Sequence, residues 1–144
     1  MHTMDVILII QSMAVGFMTG LIWLTQRVLY PAFRYVSADE DGFHKFHTGS
    51  IGPVVGPVMI IELVTAIMLC KVHPWIGWVI SALTILLALS TAFIQVPIHN
   101  RLATSWNHAD IDRLVCTNWI RTILWTAKAL LLSYWLWISL SQPS

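Results

Sequence analysis

Six histidines stand in a chain otherwise poor in groups that do chemistry. His44 and His47 are three residues apart, a spacing that turns both imidazoles to one side of a helix. With His99 from a separate segment they could offer three nitrogens to a metal or a haem iron. An imidazole also titrates near neutrality and can act as a general base without a metal. A purely structural role is the third reading, because no HExxH or comparable ligand spacing accompanies them. Asn100, Arg101 and Arg121 add amide and guanidinium donors, and Gln26, Tyr30, Gln95, Asn118, Trp119 and Trp125 complete the candidate substrate contacts. Loop polarity does not explain Gln26, Gln95 or Arg121, which interrupt apolar runs at helical spacing. His108 belongs to the same polar end, whereas His2 and His73 belong to the other.

Glu62 and Lys128 each fall midway along an apolar stretch. An isolated charge at such a depth costs about 2.5–3.5 kcal/mol on insertion scales, so the two are expected to pair. A structural clasp and a proton-carrying or substrate-contacting pair both fit that expectation.

The elements that must position these groups follow from composition. Of the 144 residues, 57% are apolar and only 10% are charged, with a mean hydropathy of +0.72. That leaves too little polar surface to coat a small globule in water. A net charge of +1 provides no field for a nucleic acid. Cys70 and Cys116 show no metal spacing and are expected to be inert packing residues. The expectation is an all-α integral membrane protein in a single domain covering 1–144.

Four stretches can cross the hydrocarbon as an antiparallel bundle: about 6–29, 54–70, 75–96 and 119–140. Each carries its polar residues on one stripe, such as Thr19, Trp23, Gln26 and Tyr30, or Ser81, Thr84, Thr91 and Gln95. Ser37 with Glu40 reads as a capping box and Gly49 as a helix end, giving a short interfacial amphipathic helix between spans 1 and 2. Asn107 with Asp110 reads as a second N-cap, from which one helix runs into the fourth span. Arg27, Arg34, Lys45, Arg101, Arg113 and Arg121 lie on one side and Lys71 on the other. The Lys/Arg excess places the long loops in the cytoplasm and both termini outside, as in a bacterial inner membrane. The polar groups then crowd an inward-opening pocket. Gly16 and Gly20 suit close helix contact within the bundle or between copies, so a homo-oligomer is among the packings allowed.

The exit Val96-Pro97-Ile98-His99-Asn100-Arg101-Leu102, the Tyr30-Pro31 end of the first span and the Asn118-Trp119-Ile120-Arg121-Thr122 opening of the last carry a likeness. In these motifs the chain resembles the anthrone oxygenase-like family of small four-helix membrane proteins (DUF1772). That family usually has Asn at the position of His99. The resemblance implies oxidation of an anthrone methylene to a quinone by molecular oxygen, with Pro97, Asn100, Leu102, Trp119 and Arg121 as the matching positions. His99 or His47 would be the base, and Asn100 and Arg121 would stabilise the oxyanion. Apolar walls with Trp23, Trp106 and Trp125 would suit the flat aromatic substrate. The function expected is thus a small membrane oxidoreductase acting on a lipophilic aromatic or quinol-type compound. It would work either without a cofactor or with a histidine-bound metal or haem. A haem- or quinone-binding subunit without turnover, and a small transporter or assembly protein coupled through Glu62 and Lys128, are the alternatives.

Overall fold

The computed structural model describes residues 3–141, and His2 lies outside them. Among the described residues all regular structure is helical and no strand occurs. Helix α1 runs Thr3–Leu24 and continues through a π-helical turn, Thr25–Leu29, into Tyr30–Ala32 and a closing 3-10 turn, Phe33–Tyr35. Helix α2 is Glu40–Val72. Helix α3 comprises Pro74–Ser90, a second π-helical turn at Thr91–Gln95, and Val96–Thr104. Helix α4 is His108–Ser141. The first three are long and apolar enough to cross a membrane, which is compatible with an integral membrane protein. In α4 the apolar run is interrupted by Arg121 and Lys128 and diluted by tryptophan.

The two segments read as long loops are mostly helical, with short breaks at 36–39 and 105–107. No separate interfacial helix lies between the first two spans, because α2 passes through Gly49, Pro53 and Pro57 without a break. A glycine ends a helix by taking a left-handed conformation, and among the described residues no glycine has positive φ. Both prolines sit on the exposed side of α2, where a long helix tolerates them if the freed carbonyls find other donors. The 33 residues of α2 reach about 50 Å at a rise of 1.5 Å per residue. The hydrocarbon is only about 30 Å thick. Part of the bundle therefore stands beyond the thickness an apolar layer would cover.

The caps divide in an instructive way. Asn107 caps α4: its Oδ1 accepts the Asp110 N–H at 2.8 Å, and its Nδ2 donates to Asp110 Oδ2 at 3.1 Å. Ser37 does not cap α2. Asp39 does, from a left-handed conformation (φ 52°), its carboxylate accepting the Gly42 N–H at 3.1 Å. Gly42 leaves room for that carboxylate, which would have to shift to admit a Cβ there.

Two apolar cores follow along the bundle. The deeper one gathers Leu8, Val15, Leu69, Ile80, Trp125 and Leu132. The other, at the end where α1 and α3 finish, gathers Tyr30, Phe33, Ile98, Leu102, Ile111 and Leu114. At the far end of the deep core α2 and α3 touch closely, because Gly77 packs on the backbone of Cys70 and leaves no room for a Cβ. Cys70 is half-buried, its Sγ 3.3 Å from Ser81 Oγ, and Cys116 is exposed. Gly16 and Gly20 do not pack within the bundle, since a Cβ on either would meet nothing within 4 Å.

Candidate functional site

The site begins with the two π-helical turns. Each stands just ahead of a proline, Pro31 or Pro97, and each closes with an N–H bonding five residues back, Tyr30 to Thr25 and Val96 to Thr91. Proline lacks an N–H and its ring collides with the carbonyl four residues earlier. A wider turn moves that carbonyl aside. The wide turn also shifts the helical phase, so that the neighbours Thr25 and Gln26 are both buried, as is Gln95 across the bundle. Such turns recur at functional sites.

At this level, bordered by residues of both cores, lies a cavity of about 460 Å³. Its deeper walls are aliphatic: Met18, Leu21 and Ile22 from α1, and Ile51, Val55 and Met59 from α2. Its polar end is formed by Tyr30, His47, Gln95, His99, Asn100 and Arg121. The cavity thus brings together four of the five expected catalytic residues, with Tyr30 and Gln95. The fifth, His44, stands directly behind them.

His99 is gripped at both nitrogens. Its Nε2 lies 3.1 Å from the Tyr30 hydroxyl, and its Nδ1 lies 3.2 Å from His44 Nε2. An imidazole–imidazole hydrogen bond needs one donor and one acceptor nitrogen, so the two rings cannot both be doubly protonated. The chain Tyr30–His99–His44 can carry its protons in either direction. His47 stacks on His99, with ring centroids 5.8 Å apart and planes at 25°, and presents its edge to Tyr30 and Phe33. It makes no hydrogen bond to another described residue, so its nitrogens are free for a ligand. Phe33, Phe43 and Trp106 pack around these rings, Trp106 stacked on Phe33 at 5.5 Å.

Arg121 is positioned by a row of amides. Gln26 Nε2 donates to the Val115 carbonyl at 3.1 Å, Gln26 Oε1 accepts from Asn118 Nδ2 at 2.9 Å, and Asn118 Oδ1 accepts from an Arg121 terminal nitrogen at 3.3 Å. Each bond fixes the orientation of the next amide. Gln26 and Asn118 therefore do not line the cavity but orient the guanidinium that does.

Several expected contacts are corrected. Arg101 points away, exposed, to Asp110 at 3.0 Å. Trp119 sits on the outer surface edge-on to Trp23, with centroids 5.6 Å apart. Trp125 is packed into the deep core, with the Lys128 ammonium 5.2 Å from its ring centre. With Trp106 packed on Phe33, none of the tryptophans expected to hold an aromatic ligand is among the cavity walls. Trp23 shares its α1 stripe in spacing only, since the buried row runs through Val15, Met18 and Ile22 to Thr25 and Gln26. His108 is exposed and joins neither cluster.

The mid-bundle charges form a closed knot. Lys128 Nζ pairs with Glu62 Oε1 and donates to Thr84 Oγ1 at 2.6 Å, and the Thr84 hydroxyl lies 3.2 Å from the same carboxylate oxygen. Gln11 Nε2 reaches that oxygen at 3.5 Å, and Thr65 donates to Gln11 Oε1. All four helices contribute, and none of the five residues lines the cavity. Gln11 and Thr65 went unnoticed in the sequence, although an amide inside an apolar run is the same signal that marked Gln26.

For a metal, three donor atoms must converge on one point at about 2.0–2.1 Å for histidine nitrogens. Among the described residues no three His, Cys, Asp or Glu side chains do so. The hydrogen bonds just described engage both nitrogens of His99, and its rings meet their neighbours by stacking. The donor set fits acid–base work better than ligation of a metal or haem iron. Compared with family models, curated proteins and solved structures, the chain matches none.

Proposed function

We propose that the chain is a four-span bundle of a bacterial inner membrane, with both termini outside and the polar end of the cavity toward the cytoplasm. In this reading α4 crosses as the fourth span with Arg121 and Lys128 turned inward. Arg27, Arg34, Lys45, Arg101 and Arg113 then lie toward the cytoplasmic end, opposed by Lys71. The cavity binds a lipophilic hydroxyarene or quinol-type compound and deprotonates it for oxidation by dioxygen, the chemistry that the likeness to anthrone oxygenase-like proteins implies. One observation carries the reading: aliphatic walls end on a histidine with free nitrogens, a tyrosine, an amide and a guanidinium.

The residues divide the work as follows. For an anthrone-type substrate, whose reacting group is a methylene beside the ring carbonyl system, His47 takes the proton from the acidified C–H. The electron pair left behind is delocalised onto an enolate or phenolate oxygen, which Arg121 and Asn100 stabilise by charge-assisted hydrogen bonds in a site of low dielectric. Dioxygen accepts these electrons as a carbon–oxygen bond forms, and the proton held by His47 completes a hydroperoxide. Loss of water from it leaves the carbonyl, so that one methylene and one O2 give one C=O and one H2O. Tyr30, Phe33 and His99 hold His47 in place through ring contacts, and Tyr30, His99 and His44 offer a chain along which protons pass.

Anthrone, as probe substrate, tests this with protein reconstituted in lipid. One O2 should be consumed per quinone formed, and His47→Ala should slow the reaction about 10²–10⁴-fold, the usual contribution of a general base. His47→Ala also removes buried ring contacts and should lower the thermal midpoint, so rates are compared well below it. His47→Gln, which keeps most of the volume, should lose the same rate. No anthrone-dependent oxygen uptake above protein-free vesicles, or an unchanged rate in His47→Ala, would overturn the proposal.

A further inference from the structure

The cavity reaches the outside through the flank of the bundle. Thr48 and Gly52 on α2, and Val96 and Asn100 on α3, line the cavity and are also exposed. Residues can be both only where the cavity breaks the outer surface, so an opening lies in the seam between α2 and α3. At its edge α2 carries Gly52 and Gly56, and a Cβ on either would meet nothing within 4 Å. At the other end of the same two helices Gly77 is pressed on the backbone of Cys70. The outer surface beside the opening is apolar, with Val54, Ile60 and Phe93 exposed.

The interior selects for a particular ligand. Two methionines and four branched aliphatic side chains form the deep walls, and no phenylalanine or tryptophan lines the cavity. Flexible thioethers and branched chains adapt to an alkyl chain, whereas a flat polycycle gains most from aromatic faces. At the polar end two groups lack partners. The Thr117 hydroxyl donates to the Arg113 carbonyl at 2.8 Å, so toward Gln95 Nε2, at 3.3 Å, it can only accept. That fixes the Gln95 amide and leaves its buried Oε1 without a donor, while Arg121 Nε lacks an acceptor. A phenolic hydroxyl supplies both, its O–H donating to Gln95 Oε1 and its oxygen accepting from Arg121 Nε.

The geometry points to a flank portal through which the cavity takes a hydroxyarene or quinol bearing an alkyl or isoprenoid tail. The head lies on Gln95 and Arg121, and the tail leaves between Gly52 and Val96 into the bilayer. This rests on the hydroxyarene reading above and narrows it from any flat lipophile to a tailed one.

Two probes test it in lipid nanodiscs without oxygen: 1,4-naphthoquinol, and the same head with an isoprenoid tail, compared at equal mole fraction in the bilayer. The tailed probe should bind at least tenfold more tightly. Gly52→Leu and Gly56→Leu have room for the new side chain and should weaken the tailed probe about tenfold without lowering the thermal midpoint. Gly16→Leu, on an exposed face of α1 away from the cavity, should leave it unchanged. Equal affinity for both probes, or full affinity in Gly52→Leu and Gly56→Leu, would overturn the portal and leave the hydroxyarene reading standing. If neither probe binds the unmodified protein, both fall.

Discussion

The knot around Glu62 and the cluster around His99 are both buried polar groups in an apolar bundle, yet their hydrogen bonds differ in kind. In the knot, a full positive and a full negative charge face each other, with two threonines and an amide filling the remaining positions. None of its residues lines the cavity. In the cluster, the groups are neutral amides, rings and hydroxyls around one guanidinium, and Gln95 Oε1 and Arg121 Nε have no partner. A satisfied set of groups holds helices in register, while groups with unmet valence beside open space hold a ligand. This contrast argues against Glu62 and Lys128 as transport-coupling charges, since a coupling charge needs access to what it couples.

The largest effect that could break the contrast is on stability. Removing one partner of a buried pair leaves the other charge uncompensated, at a cost of about 3–5 kcal/mol, whereas replacing both by apolar residues is often close to neutral. Glu62→Leu and Lys128→Met should each greatly lower the thermal midpoint in detergent, and the double variant should regain most of the loss. The double variant should also keep its anthrone-dependent oxygen uptake. A stable double variant that had lost that activity would make the knot part of the chemistry and dissolve the distinction.

A smaller effect sharpens the other side. Gln26→Leu keeps the helix but leaves Asn118 Nδ2 without its partner, worth about 1–3 kcal/mol for a buried group. Arg121 would lose its orientation, so the tailed quinol should bind severalfold more weakly even after stability is corrected for. An unchanged affinity would show that Arg121 is placed by the helix alone.

How much of this was legible depended on whether a signal was local. Asn107 and Asp110 contain their whole cap within four residues, and the helix they begin is the one observed. Ser37 and Glu40 have the same spacing, but Asp39 can adopt a left-handed backbone and Gly42 leaves room for its carboxylate, so the cap moved by two residues. The inward rows were legible from helical spacing up to the prolines. Beyond that point the π-helical turns change the phase, and no periodicity in the sequence announces them. The tryptophans were misplaced because spacing gives a face without saying which neighbour covers it: Trp23 and Trp119 lie on the outside, and Trp125 lies too deep. The triangle of His44, His99 and Tyr30 required three separate helices in contact, which histidine spacing alone could suggest only as a cluster.

The rim supplies the smallest effect and a third point for comparison. Asp110 accepts from Asn107 and faces Arg101, and these contacts hold its carboxyl below the usual carboxylate range, the Asn107 hydrogen bond being the largest cause. A depressed folded-state value means that the ionised form supports the first turn of α4 above the ordinary carboxylate pKa, and that this support is lost as pH falls through the lower folded value. Its partner Arg101 is exposed to water, so screening keeps the effect small. Amide exchange at Ile111 should be a few-fold faster in Asp110→Asn than in the unmodified chain at pH 6. The difference should fade once the pH is well below about 4, the usual carboxylate value. No difference between the two at pH 6 would mean that the Asn107 cap, and not the charge, holds this turn. The rim would then resemble the neutral cluster beside it more than the ion pair beneath.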